Sequence, residues 1–257
     1  MTTVLMLHGL GNDRANPLAL FSPIVPPGSL VIAPDVRAHG DDDRIGPPSA
    51  FALPALASDV AARVRAEQAA AGREGEPFTV IGISMGAAIA LRLLLSGELP
   101  LERAVFVRPA FTEVSLPENL RAFPVIGELL AARGARQGEE EFRRTSFYAQ
   151  AAASSTRGAA GLLEQFRSPG AAARAVRLVE IPRNPAFTAA DDLAALGAAV
   201  PTAVAWAPRD PVHPVAVAES WMARLGAPGI PLPARDENYS AYVAATRSGV
   251  AGWLGWS

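Results

Sequence analysis

The chain of 257 residues carries 23 basic and 25 acidic side chains, and a formal charge of -2 gives no reason to expect a nucleic-acid partner, since phosphate binding needs a basic face. Zero cysteines exclude disulfides, thiolate nucleophiles and Cys-ligated metals. Every basic residue is Arg, which excludes Schiff-base and P-loop lysine chemistry, and Pro, Arg or Asp breaks every apolar run short of the ~20 residues a membrane-spanning helix requires.

The first eight residues have no basic flank and no small-residue cleavage site and enter directly into an apolar run at 4–7, which predicts a cytoplasmic protein with a buried first strand. His8-Gly9-Leu10-Gly11 closes that run, and a second one at 29–33 closes at Pro34-Asp35. Between them, prolines at 17, 23, 26 and 27 allow only a short helix. The polar turn 37–43 precedes a helix whose Leu53, Leu56, Val60 and Val64 recur at helical spacing and which Gly72 and Gly75 terminate. Residues 78–83 form a β-branched strand leading through Gly82-Ile83-Ser84-Met85-Gly86 into a long apolar helix, and 103–108 is a fourth strand ending at Pro109. Strands alternating with helices predict a parallel α/β sheet with right-handed crossovers.

From 111 to about 198 the pattern is helical throughout, with segments 120–133, 139–154, 158–166 and 171–181 broken by Pro or Gly. A strand follows at 200–206, then Asp210-Pro211-Val212-His213-Pro214, a helix through Met222, a weak strand near Ile230 and a last amphipathic helix. This predicts a core of residues 1–110 and 199–257 with a helical lid, 111–198, inserted over the carboxyl edge of the sheet.

Gly-x-Ser-x-Gly between a buried strand and a buried helix is the pattern of a nucleophile elbow, whose small residues allow the tight reversal that holds Ser84 out of the turn. With His8-Gly9, Asp35-x-Arg37-x-His39-Gly40 and an Asp at 210 in order, nearly the whole chain resembles the α/β-hydrolase superfamily. The resemblance implies a mostly parallel sheet flanked by helices, here without the usual leading hairpin. It also implies Ser84 as nucleophile, the backbone amides of Leu10 and Met85 as oxyanion hole, Asp210 as triad acid, and His8 with Gly9 as supporting residues of the oxyanion turn.

The superfamily places its histidine in the loop before the last helix, and this chain has no histidine after 213. Three histidines in all leave two routes to a base. His213, three residues past Asp210, reaches back to the serine, or a tyrosine fills the vacant slot, Tyr242 first and Tyr239 second. The first route fits ester or thioester hydrolysis of a small carbonyl-containing molecule. The second fits a lyase or cyclase of specialised metabolism, and with neither a catalytically degenerate binding protein remains. No cofactor is expected. Asp41-Asp42-Asp43 reads as a solvated loop rather than a cation site, and Gly9-Leu10-Gly11 lacks the third glycine of a dinucleotide loop.

Overall fold

The computed structural model describes residues 2–256. Among these, strands β1 (Thr3–Leu7), β2 (Leu30–Ile32), β3 (Phe78–Ile83), β4 (Leu101–Val107), β5 (Thr202–Trp206) and β6 (Gly229–Pro231) form one wholly parallel sheet in the order β2-β1-β3-β4-β5-β6. Every residue of β1 and β3 is buried, as parallel strands covered on both faces must be. The weak strand near Ile230 is the edge strand β6.

The pleat divides the strand residues between two cores. Leu5, Leu7, Val80, Phe106 and Val204 point to one face, which is covered by α2 (Leu53–Ala70), α3 (Met85–Ser96) and α9 (Val215–Leu225). Val4, Met6, Ile81, Ile83, Val105, Ala203 and Ala205 point to the other, which is covered by α1 (Ala15–Phe21) and α10 (Tyr239–Leu254). A one-residue slip in any central strand would exchange these sets, so the register is strongly specified.

Between β4 and β5 lie α4 (Ala122–Phe142), α5 (Ser146–Ser154), α6 (Thr156–Arg167), α7 (Val176–Glu180) and α8 (Leu193–Ala199). The helical run of α4 is interrupted at Gly134, whose φ 73° and ψ -178° are not helical, where a break after 133 was expected; the second expected segment, 139–154, is divided after Phe142, and Thr145 caps α5 through the N–H of Tyr148. Phe142 packs on Phe166 and Tyr148 with ring centroids 5.7 and 6.1 Å apart, so these aromatics form the core of the helical layer itself. Helix α8 stands apart from this aromatic cluster and packs on α9. The two approach closely enough that a Cβ on Gly197 would stand 1.9 Å from the Leu225 carbonyl oxygen. Helices α4 to α7 instead pack on one another. No helix among the described residues is long and apolar enough to cross a membrane.

Candidate active site

The site grows from the end of β3. Ser84 has φ 54° and ψ -109°, a conformation costly for a non-glycine residue, and two close approaches hold it there. A Cβ on Gly82 would lie 2.3 Å from the carbonyl oxygen of Gly86, and one on Gly86 would lie 2.5 Å from that of Leu7. Glycine at both positions lets α3 turn back against β1 and β3, while the Ser84 N–H donates to the Val107 carbonyl at 2.9 Å. This leaves the Ser84 side chain at the carboxyl edge of the sheet, the residue as a whole 9% exposed.

A second turn runs beside it. Gly9 packs against the Ser84 side chain, with a Cβ position 3.5 Å from Ser84 Cβ, and Asn12 N–H donates to the Gly9 carbonyl at 3.1 Å, folding Leu10 and Gly11 into a tight turn. His8 anchors it: Nε2 accepts from the Val36 N–H at 3.0 Å and Nδ1 donates to the Gly9 carbonyl at 2.9 Å. Burial holds the His8 imidazole below its ordinary pKa, and that of His39, whose ring centroid is 4.9 Å away, well below it. His8 thereby braces the Leu10 turn, while His39 bonds the Arg37 carbonyl through Nδ1 at 2.9 Å. Met85 is the first residue of α3, so its N–H has no acceptor within the helix. Asp35 serves the neighbouring turn, accepting from the N–H groups of Arg14 and Asp41.

His213 arrives from the loop after β5. The carboxylate of Asp210 accepts from the backbone N–H groups of Val212 and His213, each at 3.2 Å, curling the Asp-Pro-Val-His segment around its own first side chain. The His213 ring is thereby set with Nδ1 2.9 Å from Asp210 Oδ1 and Nε2 2.8 Å from Ser84 Oγ. With Nδ1–H donated to the carboxylate, Nε2 is free to accept the serine proton.

Two arginines complete the cluster, and the sequence reading missed both. Arg108 donates to Asp210 Oδ2 at 2.8 Å and lies 3.3 Å from His213 Nδ1, and Arg235 stands 3.6 Å from the same Oδ2. Arg108 follows directly on β4, where a charge at the end of a buried strand beside the elbow strand was a visible signal. Arg235 comes from the loop before α10, where the superfamily histidine was sought. Neither tyrosine weighed for that slot lies in the loop itself. Asn238 caps α10 through the N–H of Ala241, so Tyr239 and Tyr242 are already helical. Tyr242 is buried in the second core, its ring stacked on Tyr239 and near the guanidinium carbons of Arg108 and Arg235 at 5.9 and 5.5 Å.

Burial alone would raise the pKa of Asp210, but His213, Arg108 and Arg235 together hold its carboxyl well below the usual range. Burial lowers the pKa of His213. Asp210 opposes that shift and the two arginines reinforce it.

Helix α6 lies across this arrangement. At one end a Cβ on Gly158 would stand 2.8 Å from Pro211 Cδ, and Arg157 stacks 3.9 Å over the Tyr239 ring. About two turns further on, the Gln165 amide abuts Gly11. The helix therefore spans from the His213 loop to the Leu10 turn. A groove of about 820 Å³ opens elsewhere, along the β2 edge between Arg14, Val31, Leu56 and Arg63, and includes neither Ser84 nor His213.

Residues 4–250 match the family described as the alpha/beta hydrolase family. No curated protein matches the sequence. Among solved structures the chain is similar to MenH from S. aureus, at 15% identity and TM-score 0.68 over 99% of this chain and 93% of that one. A thermophilic esterase from Thermogutta terrifontis matches at 19% identity and TM-score 0.68 over 98% and 90%. MGS-M2, an alpha/beta hydrolase enzyme from a Medee basin deep-sea metagenome library, matches at 15% identity and TM-score 0.71 over 100% and 90%.

Proposed function

We propose, from the premise that this chain belongs to the α/β-hydrolase family, that it is a serine hydrolase cleaving an ester or thioester of a small molecule beneath the α4–α7 lid. The observation that carries this reading is the 2.8 Å contact between Ser84 Oγ and His213 Nε2, with Asp210 at 2.9 Å behind the ring. The esterase among the structural neighbours is in keeping with it. The lyase and cyclase readings drew their force from a missing base, and His213 supplies one from the loop after β5.

In this mechanism His213 Nε2 takes the Ser84 proton as Oγ attacks the carbonyl carbon. The resulting oxyanion is held by the amides of Met85 and Leu10, donors worth about 3–4 kcal/mol each in comparable sites. The imidazolium returns its proton to the leaving alcohol or thiol. Water, deprotonated by the same imidazole, then cleaves the acyl-serine to release the acid. The test is labelling by a fluorophosphonate probe, which forms a bond to an activated serine oxygen and expels fluoride. One probe per chain is expected, and none on Ser84→Ala. An unlabelled wild-type protein would overturn the reading.

The arginines set the acid limit of the reaction. His213 must be neutral to act as base, and it is held below its ordinary pKa by burial and by Arg108 and Arg235 against the pull of Asp210. The acid limb of kcat/KM is therefore expected below pH ~6.5, the ordinary histidine value. Removing a cation makes protonation of the ring easier, so Arg235→Met is expected to move the limb to higher pH. A limb unmoved in that variant would show that Arg235 does not act on the imidazole.

A further inference from the structure

We propose that Gln165, on the lid helix α6, is the specificity-determining residue of the site: its side-chain oxygen accepts a hydrogen bond from an N–H or O–H on the carbon next to the scissile carbonyl. The preferred acyl groups are then 2-acylamino or 2-hydroxy acyl groups rather than plain alkyl ones. The inference rests on the hydrolase reading above and identifies the class of substrate for that same site.

Gln165 is 6% exposed, and its Oε1 has no hydrogen-bond partner among the described residues. A buried acceptor left open in this way is uncommon and costs stability. The orientation of the amide is set from its other end, because Nε2 donates to the Gly161 carbonyl of its own helix at 3.4 Å, leaving the oxygen directed away from α6. That oxygen faces the Leu10 turn: a Cβ on Gly11 would lie 1.8 Å from Oε1. Gly11 has φ +78° and no side chain, so the amide seats directly on the turn whose preceding residues, Gly9 and Leu10, flank Ser84. An acyl group bonded to Ser84 with its oxygen on the Leu10 and Met85 amides places its first carbon substituent beside this turn. A donor there meets Oε1, and an alkyl group there leaves the carbonyl unpaired.

The helix is placed to hold this acceptor. Gly158, Gly161 and Gln165 are spaced three and four residues apart and share one flank of α6, with Gly158 against Pro211 at one end and Gln165 against Gly11 at the other.

The experiment measures binding of two boronic acids, whose boron accepts a lone pair from Ser84 Oγ while the hydroxyl proton passes to His213, giving a tetrahedral adduct without turnover. One is 1-acetamidoethylboronic acid, and the other replaces its N–H by CH2. Wild-type protein is expected to bind the first about tenfold or more tightly, the gain of satisfying a buried acceptor, and Gln165→Met is expected to bring the ratio of dissociation constants close to one. The ratio is taken within one protein sample, so partial unfolding of the variant does not change it, and the wild-type ratio stands alone if the variant does not fold. Equal affinities in the wild type, or an unchanged ratio in Gln165→Met, would overturn the proposal and leave the hydrolase reading standing. Failure of both compounds to bind would overturn the two together.

Discussion

Replacing His213 by alanine is expected to lower kcat/KM toward an activated ester by about 10⁴-fold or more, while Tyr242→Phe stays within a few-fold of wild type. General-base catalysis contributes about 10²–10⁴-fold, and a serine triad loses more than that when the histidine goes because its members act as a unit. The imidazole is the ring within hydrogen-bonding distance of Ser84 Oγ, at 2.8 Å. The Tyr242 side chain is buried in the core beneath the sheet, where its ring packs on Tyr239 and beside two guanidinium groups. Steady-state kinetics on a p-nitrophenyl ester distinguish the two roles. An active His213→Ala protein, or a dead Tyr242→Phe protein with wild-type stability, would reverse the assignment.

Asp210→Ala is expected to cost about 3–5 kcal/mol of folding stability in addition to activity, the range for removing one partner of a buried ion pair. The reason is the charge balance at the strand ends. The side chains of Arg108 and Arg235 are 10% and 25% exposed, and both approach Asp210 Oδ2. Without the carboxylate, two guanidinium groups face each other in a largely dry setting. A urea titration reads the loss as a lower midpoint at unchanged slope. Adding Arg235→Met to Asp210→Ala removes one of the stranded charges and is expected to restore part of the loss. A stability equal to wild type in Asp210→Ala would mean that the arginines find other partners at no cost. The pH dependence has a definite sign. Because the folded-state pKa of Asp210 lies well below its unfolded value, its contribution is present above the unfolded value of ~3.9 and is lost as pH falls through the folded one.

Charge placement also separates this cluster from a simple triad. In a triad the carboxylate alone faces the imidazole and favours its charged form. Here the same carboxylate is shared with two cations, so the imidazolium of the proposed reaction would be stabilised less. The lowered pKa of His213 and the depressed pKa of Asp210 are two consequences of that sharing.

What could be read along the chain was whatever depends on neighbours in sequence. The buried strands announced themselves as short β-branched runs, α2 as Leu53, Leu56, Val60 and Val64 on one face, and the elbow as glycines at 82 and 86 around Ser84, because periodicity and backbone sterics are local. The choice between His213 and Tyr242 was not readable, since it depends on where α10 begins and on which loop faces the end of β3. The arginines were harder still: Arg108, Asp210 and Arg235 follow three different strands, and only the side-by-side order β4-β5-β6 brings them to one carboxylate. Gln165 belongs to the same class, a glutamine on an amphipathic helix until α6 is laid across the Leu10 turn. Sequence alone thus determined the fold and the place of the serine, which local conformational preference dictates. The partners of that serine were decided by tertiary structure, because electrostatic and hydrogen-bonding partners are set by distance in space between residues more than a hundred positions apart.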